Sequence, residues 1–248
     1  MNKMYGIIVS LIAGLSTLIG YFFIYIRGDK NKIIAKCLSF AGGVMITLSI
    51  IDLLPSSIEN LNIKNTSLLS IIYSLIFFYI GFFLCHIFSK YTKNEGDKLY
   101  KTGIISMIGI ILHNIPEGIA TFILSSIDLK LGITLSIAII LHNIPEGIGI
   151  AIPIYHSTKN KFKAFIYTFI SGISEPVGAI IASLFLYKYV DNFIIGILFS
   201  IIAGLMIYIG YFELIKTSKY YNNKKNTIMY SFVGSIFIIL VEIILKLV

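Results

Sequence analysis

The 248-residue chain is 57% hydrophobic and only 13% charged, with a formal net charge of +8. That balance excludes an ordinary water-soluble domain, and the grouping of the few charges between long apolar runs excludes a nucleic-acid-binding surface. Apolar runs of about 20 residues cross a hydrocarbon core of ~30 Å at ~1.5 Å per residue, and in lipid they must be helices because every backbone group has to pair internally.

Eight such runs follow one another, at 4–26, 34–54, 68–88, 103–125, 132–154, 163–187, 193–214 and 228–247. The expected fold is therefore an all-α integral membrane protein of eight transmembrane helices, with short connections and one transmembrane domain over 1–248. The first run is longer than the core of a secretion signal, roughly 7–15 residues, and no small-residue cleavage site follows it, so it counts as the first helix. Cys37 and Cys85 lie at helix ends without CxxC spacing and read as packing residues, not as part of a disulfide or zinc-ribbon framework.

The basic residues give an orientation. Arg27, Lys30, Lys32 and Lys36; Lys90, Lys93, Lys98 and Lys101; Lys159, Lys161 and Lys163; and Lys216, Lys219, Lys224 and Lys225 follow helices one, three, five and seven, and make up 15 of the 20. Lys3, Lys64, Lys130, Lys188 and Lys246 mark the other face. The positive-inside rule puts loops 27–36, 89–102, 155–163 and 215–227 in the cytoplasm and both termini outside, in a multi-pass protein of the plasma (inner) membrane.

Two repeats are visible. The octapeptide LHNIPEGI occupies 112–119 in helix four and 141–148 in helix five. More faintly, LIAGLSTLIG at 11–20 aligns with FISGISEPVG at 169–178, and SFAGGVMITLSIIDLL at 39–54 with SIIAGLMIYIGYFELI at 200–215. The second alignment sets Met45 on Met206 and Asp52 on Glu213. Helices three and eight share little more than spaced serines. Helices one to three thus resemble six to eight while crossing in the opposite sense, an inverted repeat around helices four and five. Arrangements of this kind place a transport site near the membrane midplane.

Six of the twelve carboxylates fall inside spans: Asp52, Glu117, Glu146, Glu175, Glu213 and Glu242. Each costs roughly 2.5–3.5 kcal/mol at a helix centre on insertion scales. No Lys or Arg lies mid-span to offset that cost, so either the acids are protonated or an exchangeable cation visits them. Glu117, Glu146 and Glu175 are the most central, and each adjoins a proline. On a helix His113, Asn114 and Glu117 share an arc of ~100°, as do His142, Asn143 and Glu146. Two such faces together offer imidazole, carboxylate and amide oxygen, a donor set suited to zinc, iron, nickel, copper or manganese. Pro116 and Pro145 each free a carbonyl one turn earlier. Met45 in an apolar helix is ordinarily a core residue. His86 and His156 read as bystanders.

HNxPEG in two adjacent helices resembles the fourth and fifth helices of the ZIP (Zrt-, Irt-like) family of divalent-metal transporters. LHNIPEGIATF and LHNIPEGIGIAIPIY are close to its bacterial zinc-uptake, ZupT-like branch. SGISEPVGA resembles the family's sixth helix, and AGGVMITLSIIDLLP its second. The resemblance implies a 3+2+3 helix arrangement and a two-metal centre bridged by Glu117 and Glu146. His113, His142 and Met45 would complete one position, and Asn114, Asn143 and Glu175 the other. Asp52 and Glu213 match acidic positions near the pathway mouths. It also implies a homodimer, with no prosthetic group and no nucleic-acid partner. The expected function is zinc uptake into the cytoplasm, with iron, manganese and cadmium as further cargo. The connection KYTKNEGDKLYK departs from the family in carrying no histidine between helices three and four, which places a metal-sensing loop in doubt. The competing reading is an intramembrane metal-dependent hydrolase. Against it, HEXXH is absent, and two mirrored motifs suit a path better than a one-sided active site.

Overall fold

The computed structural model describes residues 3–61, 67–92, 97–186 and 191–247. Lys64, Lys93 and Lys188 of the charge analysis lie outside them. Among the described residues there is helix and no strand. Eight helices are long and apolar enough to cross a membrane: α1 (Met4–Tyr25), α2 (Lys30–Leu61), α3 (Ser67–Tyr91), α4 (Lys98–Ile127), α5 (Leu129–Thr158), α6 (Lys161–Phe185), α7 (Asn192–Ser218) and α8 (Lys224–Leu245).

Several helices begin earlier than the apolar runs, for a physical reason. Hydropathy marks the membrane-embedded stretch, whereas the helix ends where its orphan N–H groups are capped. Asp29 accepts from the Lys32 N–H at 3.0 Å, Asp97 from Leu99 at 2.8 Å, and Asp128 from Lys130 at 2.8 Å. Asn160 accepts from Lys163 at 2.9 Å and Asp191 from Ile194 at 2.9 Å. Asp128 is the whole connection between α4 and α5, since its own N–H also closes α4 on the Leu124 carbonyl.

Two helices widen locally where an acid sits. A π-helical segment covers Ser49–Leu53 in α2, around Asp52, and another covers Ile209–Ile215 in α7, around Glu213. Such widenings cost hydrogen-bond geometry and recur at functional positions. Nothing in the apolar sequence signals them.

The long helices α4 and α5 form the centre. α4 packs on α1, α5 and α6, and α5 on α1, α2, α4 and α6. α3 lies mainly against α7, α8 against α2, and α2 against α7. Missing side chains set the closest approaches. A Cβ on Gly118 would run into the Glu175 carbonyl of α6, and one on Gly147 into the Thr17 carbonyl of α1. Without a hydrophobic drive between helices in lipid, such backbone proximity is what dispersion and packing can exploit. α3 and α8 bury little of themselves and present Phe83, Leu84, Phe232 and Leu240 outward, as lipid-facing helices do.

Candidate metal centre

α4 and α5 carry their polar faces to the same depth. The His113 Nε2 lies 3.2 Å from the Glu117 Oε1 one turn on, and 3.4 Å from the Glu146 Oε1 of α5. Reciprocally, the His142 Nε2 lies 3.0 Å from the Glu117 Oε1 of α4. Each imidazole therefore meets the other helix's carboxylate, and the two rings stand 6.0 Å apart, centroid to centroid. Donor atoms of His113, Glu117 and His142 all lie within 4.8 Å of one another. Zinc–ligand distances of ~2.0–2.2 Å put tetrahedral ligands about 3.4 Å from each other. The observed 3.0–3.4 Å spacings are of that size.

The asparagines are held by the backbone of the neighbouring helices. The Asn114 Nδ2 donates to the Ser171 carbonyl of α6 at 3.1 Å, and the Asn143 Nδ2 to the Ala13 carbonyl of α1 at 3.0 Å. A second Asn143 hydrogen bond reaches the Glu175 Oε2 at 3.0 Å, tying α6 into the group. With the amide nitrogens occupied in this way, both amide oxygens are buried and unpartnered within the protein, as are Glu117 Oε2, Glu146 Oε2 and Glu175 Oε1. Buried acceptors left open at this density are costly. All lack donors, so a cation satisfies them where another carboxylate or carbonyl would not. Imidazole nitrogen with carboxylate and amide oxygen, and no thiolate, fits a borderline divalent ion that must also leave.

His113, Asn114, Glu117, His142, Asn143, Glu146 and Glu175 are all buried; the contacts above join His113, Glu117, His142 and Glu146 into one group and Asn143 with Glu175 into a second, next to it in sequence through His142. Asn114 sits beside His113 and is held to Ser171, four residues before Glu175. Met45 is fully buried in α2 among core side chains. Asp52 stands apart, in a cavity of about 360 Å³ that also has Glu117 and His142 in its wall. That cavity runs between the C-terminal ends of α2, α4 and α8 and the N-terminal ends of α5 and α7, and Ser56, Asn60 and Glu242 add polar groups to it. Glu213 is closed off. Its Oε1 accepts from Ser89 at 2.7 Å, its Oε2 lies 3.5 Å from the Thr102 hydroxyl, and Thr102 and Thr217 are 3.0 Å apart.

Sequence reasoning missed the carbonyls of Ala13 and Ser171, which have no side-chain signal. It also missed the hydroxyls of Ser89 and Thr102, which read as ordinary small helix residues. Asn60 and Ser56 were legible only as polar residues at a helix end.

Buried imidazoles and carboxylates converging in the middle of a helical membrane domain, with a cavity leading to them from one end, define a protein that binds and passes a divalent cation. The model of the ZIP zinc transporter family matches residues 92–242. The chain is 35% identical to the zinc transporter ZupT of Streptococcus mutans over 96% of both chains. It is 34% identical to that of Campylobacter jejuni over 90% of both, and 32% to that of Clostridium perfringens over 98% of this chain and 96% of the relative. The chain belongs to the ZIP zinc transporter family, and it is a multi-pass membrane transporter of divalent metal. The hydrolase alternative falls with that finding, since the family transports and does not catalyse.

Proposed function

We propose that this protein takes zinc across the plasma membrane into the cytoplasm through a pair of metal positions at mid-membrane. Glu117 and Glu146 bridge the two. His113, His142 and Met45 serve one, and Asn114, Asn143 and Glu175 the other. The observation that carries the reading is the cavity that ends on Glu117 and His142, whose Oε1 and Nε2 lie 3.0 Å apart. With the lysine-rich loops in the cytoplasm and the termini outside, this cavity faces outward, and Asp52 stands in its wall as the first carboxylate an ion meets. Ferrous iron, manganese and cadmium suit the same donors and are expected to compete. A homodimer remains part of this reading.

We further infer that the two halves are inverted repeats. Three kinds of contact support it. Exchanging α1 with α6, α2 with α7, α3 with α8 and α4 with α5 turns the main packing pairs into one another: α4 on α6 becomes α5 on α1, and α3 on α7 becomes α8 on α2. The glycine approaches exchange likewise, Gly118 on Glu175 with Gly147 on Thr17, and Gly81 on Ile201 with Gly234 on Phe40. Two hydroxyl triads also correspond. Ser74 meets Ser57 at 2.6 Å and Ser200 at 3.2 Å, while Ser218 meets Ser39 at 3.0 Å and Thr227 at 3.4 Å. The halves differ in their acids: Asp52 lines an open cavity and Glu213 is sealed by Ser89 and Thr102. Alternating access then consists of opening at Glu213 as the Asp52 side closes.

The test is radioactive zinc uptake into proteoliposomes, for wild type and for Glu117→Ala combined with Glu146→Ala. Saturable uptake lost in the folded double variant is expected. Unchanged uptake in that variant would overturn the assigned centre.

A further inference from the structure

We infer that α3, α4 and α7 form a binding site for one anionic phospholipid, with an acyl chain in an apolar groove and its phosphate on the lysines at the groove's end. The groove has a volume of about 380 Å³ and an almost wholly apolar wall. Leu84 of α3 and Leu112 of α4, 56% and 50% exposed, stand at its edges, and Gly81 and Gly109 line it where α7 comes closest to α3 and α4. In a membrane-spanning chain an opening of this kind faces hydrocarbon, and its wall has no partner to offer water.

The flank of α2, α5 and α8 shows that such a groove is not obligatory. There Phe40 and Phe237 close ring on ring, with centroids 5.6 Å apart, and pack with Leu141 against Val44, Ile238 and Val241. Under the repeat proposed above, Phe237 stands where α3 has Leu84, and Phe40 where α7 has Ile201. The same architecture is filled on one flank and left open on the other.

Charge selects the occupant. Lys98 and Lys101 lie two turns before Ile105 and Ile108 of the groove wall, respectively, on the same stripe of α4. Lys98 stacks its ammonium 3.6 Å over the Tyr220 ring. Tyr220 in turn lines a second cavity, of about 410 Å³, with Lys216, Lys219, Tyr211 and Phe212. An apolar slot thus leads at one end to a concentration of lysines and tyrosines, the pattern that recognises a phosphate headgroup at the membrane surface. Zwitterionic lipid satisfies the slot but not the charge, and a second copy of the chain would have to bring acids to meet these lysines.

The groove wall also includes Pro116, the residue before Glu117. A chain lodged there packs against the proline next to Glu117, between α4 and α7, so lipid occupancy bears on transport.

The chain contains no tryptophan, which makes a single inserted one a clean reporter. Leu84→Trp places it in the groove, Ile108→Trp gives a second groove position should the first block the slot, and Phe232→Trp on α8 is the bulk-lipid control. Full-length protein is reconstituted in phosphatidylcholine vesicles with a small fixed fraction of phosphatidylglycerol, either lipid being brominated in its chains. The expected result is quenching of a groove tryptophan by brominated phosphatidylglycerol several-fold beyond its mole fraction, with the control following bulk composition. Lys98→Gln, Lys101→Gln and Lys216→Gln together should return the groove to the bulk value. Equal quenching by the two lipids at groove and control would overturn the proposal in favour of unselective solvation. Protection of both groove positions from both lipids, with a cross-linked dimer, would overturn it in favour of a second copy.

Discussion

The unequal roles proposed for Glu117 and Glu146 can be measured. Glu117 Oε1 lies 3.2 Å from one imidazole nitrogen and 3.0 Å from the other, whereas Glu146 approaches only His113, at 3.4 Å. Replacing either by Gln keeps the volume and removes the charge. Removing one partner of a buried ionic set costs about 3–5 kcal/mol. At 1.4 kcal/mol per decade that predicts zinc binding weakened roughly 150- to 4000-fold in Glu117→Gln. With one longer contact, Glu146→Gln should lose about half that energy, or roughly 10- to 60-fold. Competition between purified protein and a zinc-chelating dye reads both affinities, and thermal unfolding in detergent without metal separates a binding defect from a folding one. Equal losses, or a larger loss at Glu146, would refute an argument that ranks the carboxylates by their imidazole contacts.

Four further outcomes follow from packing, hydrogen bonding and capping. Gly147→Ala drives a methyl into the Thr17 carbonyl and should destabilise the fold by about 1–3 kcal/mol. In Gly149→Ala the new methyl would meet Leu214 at 3.5 Å, an ordinary contact, so its melting temperature should hold or rise, since Ala is favoured over Gly in a helix. Ser89→Ala removes the 2.7 Å donor to Glu213. In a Cys37→Ser background, Cys85, one turn away in α3, should then label several-fold faster with a membrane-impermeant maleimide applied from the lysine-rich side, and unchanged labelling would argue against a hydroxyl lock there. Asp128→Ala leaves the Lys130 N–H uncapped at the only link between α4 and α5. It should cost about 1 kcal/mol by thermal unfolding, and Asp128→Asn should restore it.

The parts of this molecule legible in its sequence are those that a side chain announces. Eight apolar runs, six acids among them and a doubled octapeptide were enough for the fold class and for the residues that meet at mid-depth. What escaped was carried by the backbone. The π-helical turns that hold Asp52 and Glu213 need one extra residue in a helix of otherwise unchanged composition. The carbonyls of Ala13 and Ser171 that orient Asn143 and Asn114 belong to residues whose side chains say nothing of the role. The caps at Asp29, Asp97, Asp128 and Asp191 were present as letters, but a count of charges assigns them to loops and not to helix starts.

The α3–α8 comparison shows why one repeat fades while another stays exact. Both helices face lipid along most of their length, and lipid asks only for apolarity, so Leu, Ile and Phe exchange there without consequence. The constraint survives where backbones touch. Gly81 meets the backbone of Ile201, Gly234 that of Phe40, and Gly43 and Gly204 in turn meet Ser231 and Phe78. Those four contacts set a common register that the two sequences, read alone, do not reveal. In α4 and α5 the constraint is the opposite. The imidazole Nε2 atoms meet carboxylates, the amide nitrogens meet backbone carbonyls or Glu175, and the glycines face another helix. A substitution at those positions leaves a buried acceptor without a cation or puts a methyl into a carbonyl. Under the proposed inverted repeat, the sequence likeness therefore stays readable at the centre and dissolves at the rim. Its rim is recovered by asking which glycines cannot accept a side chain.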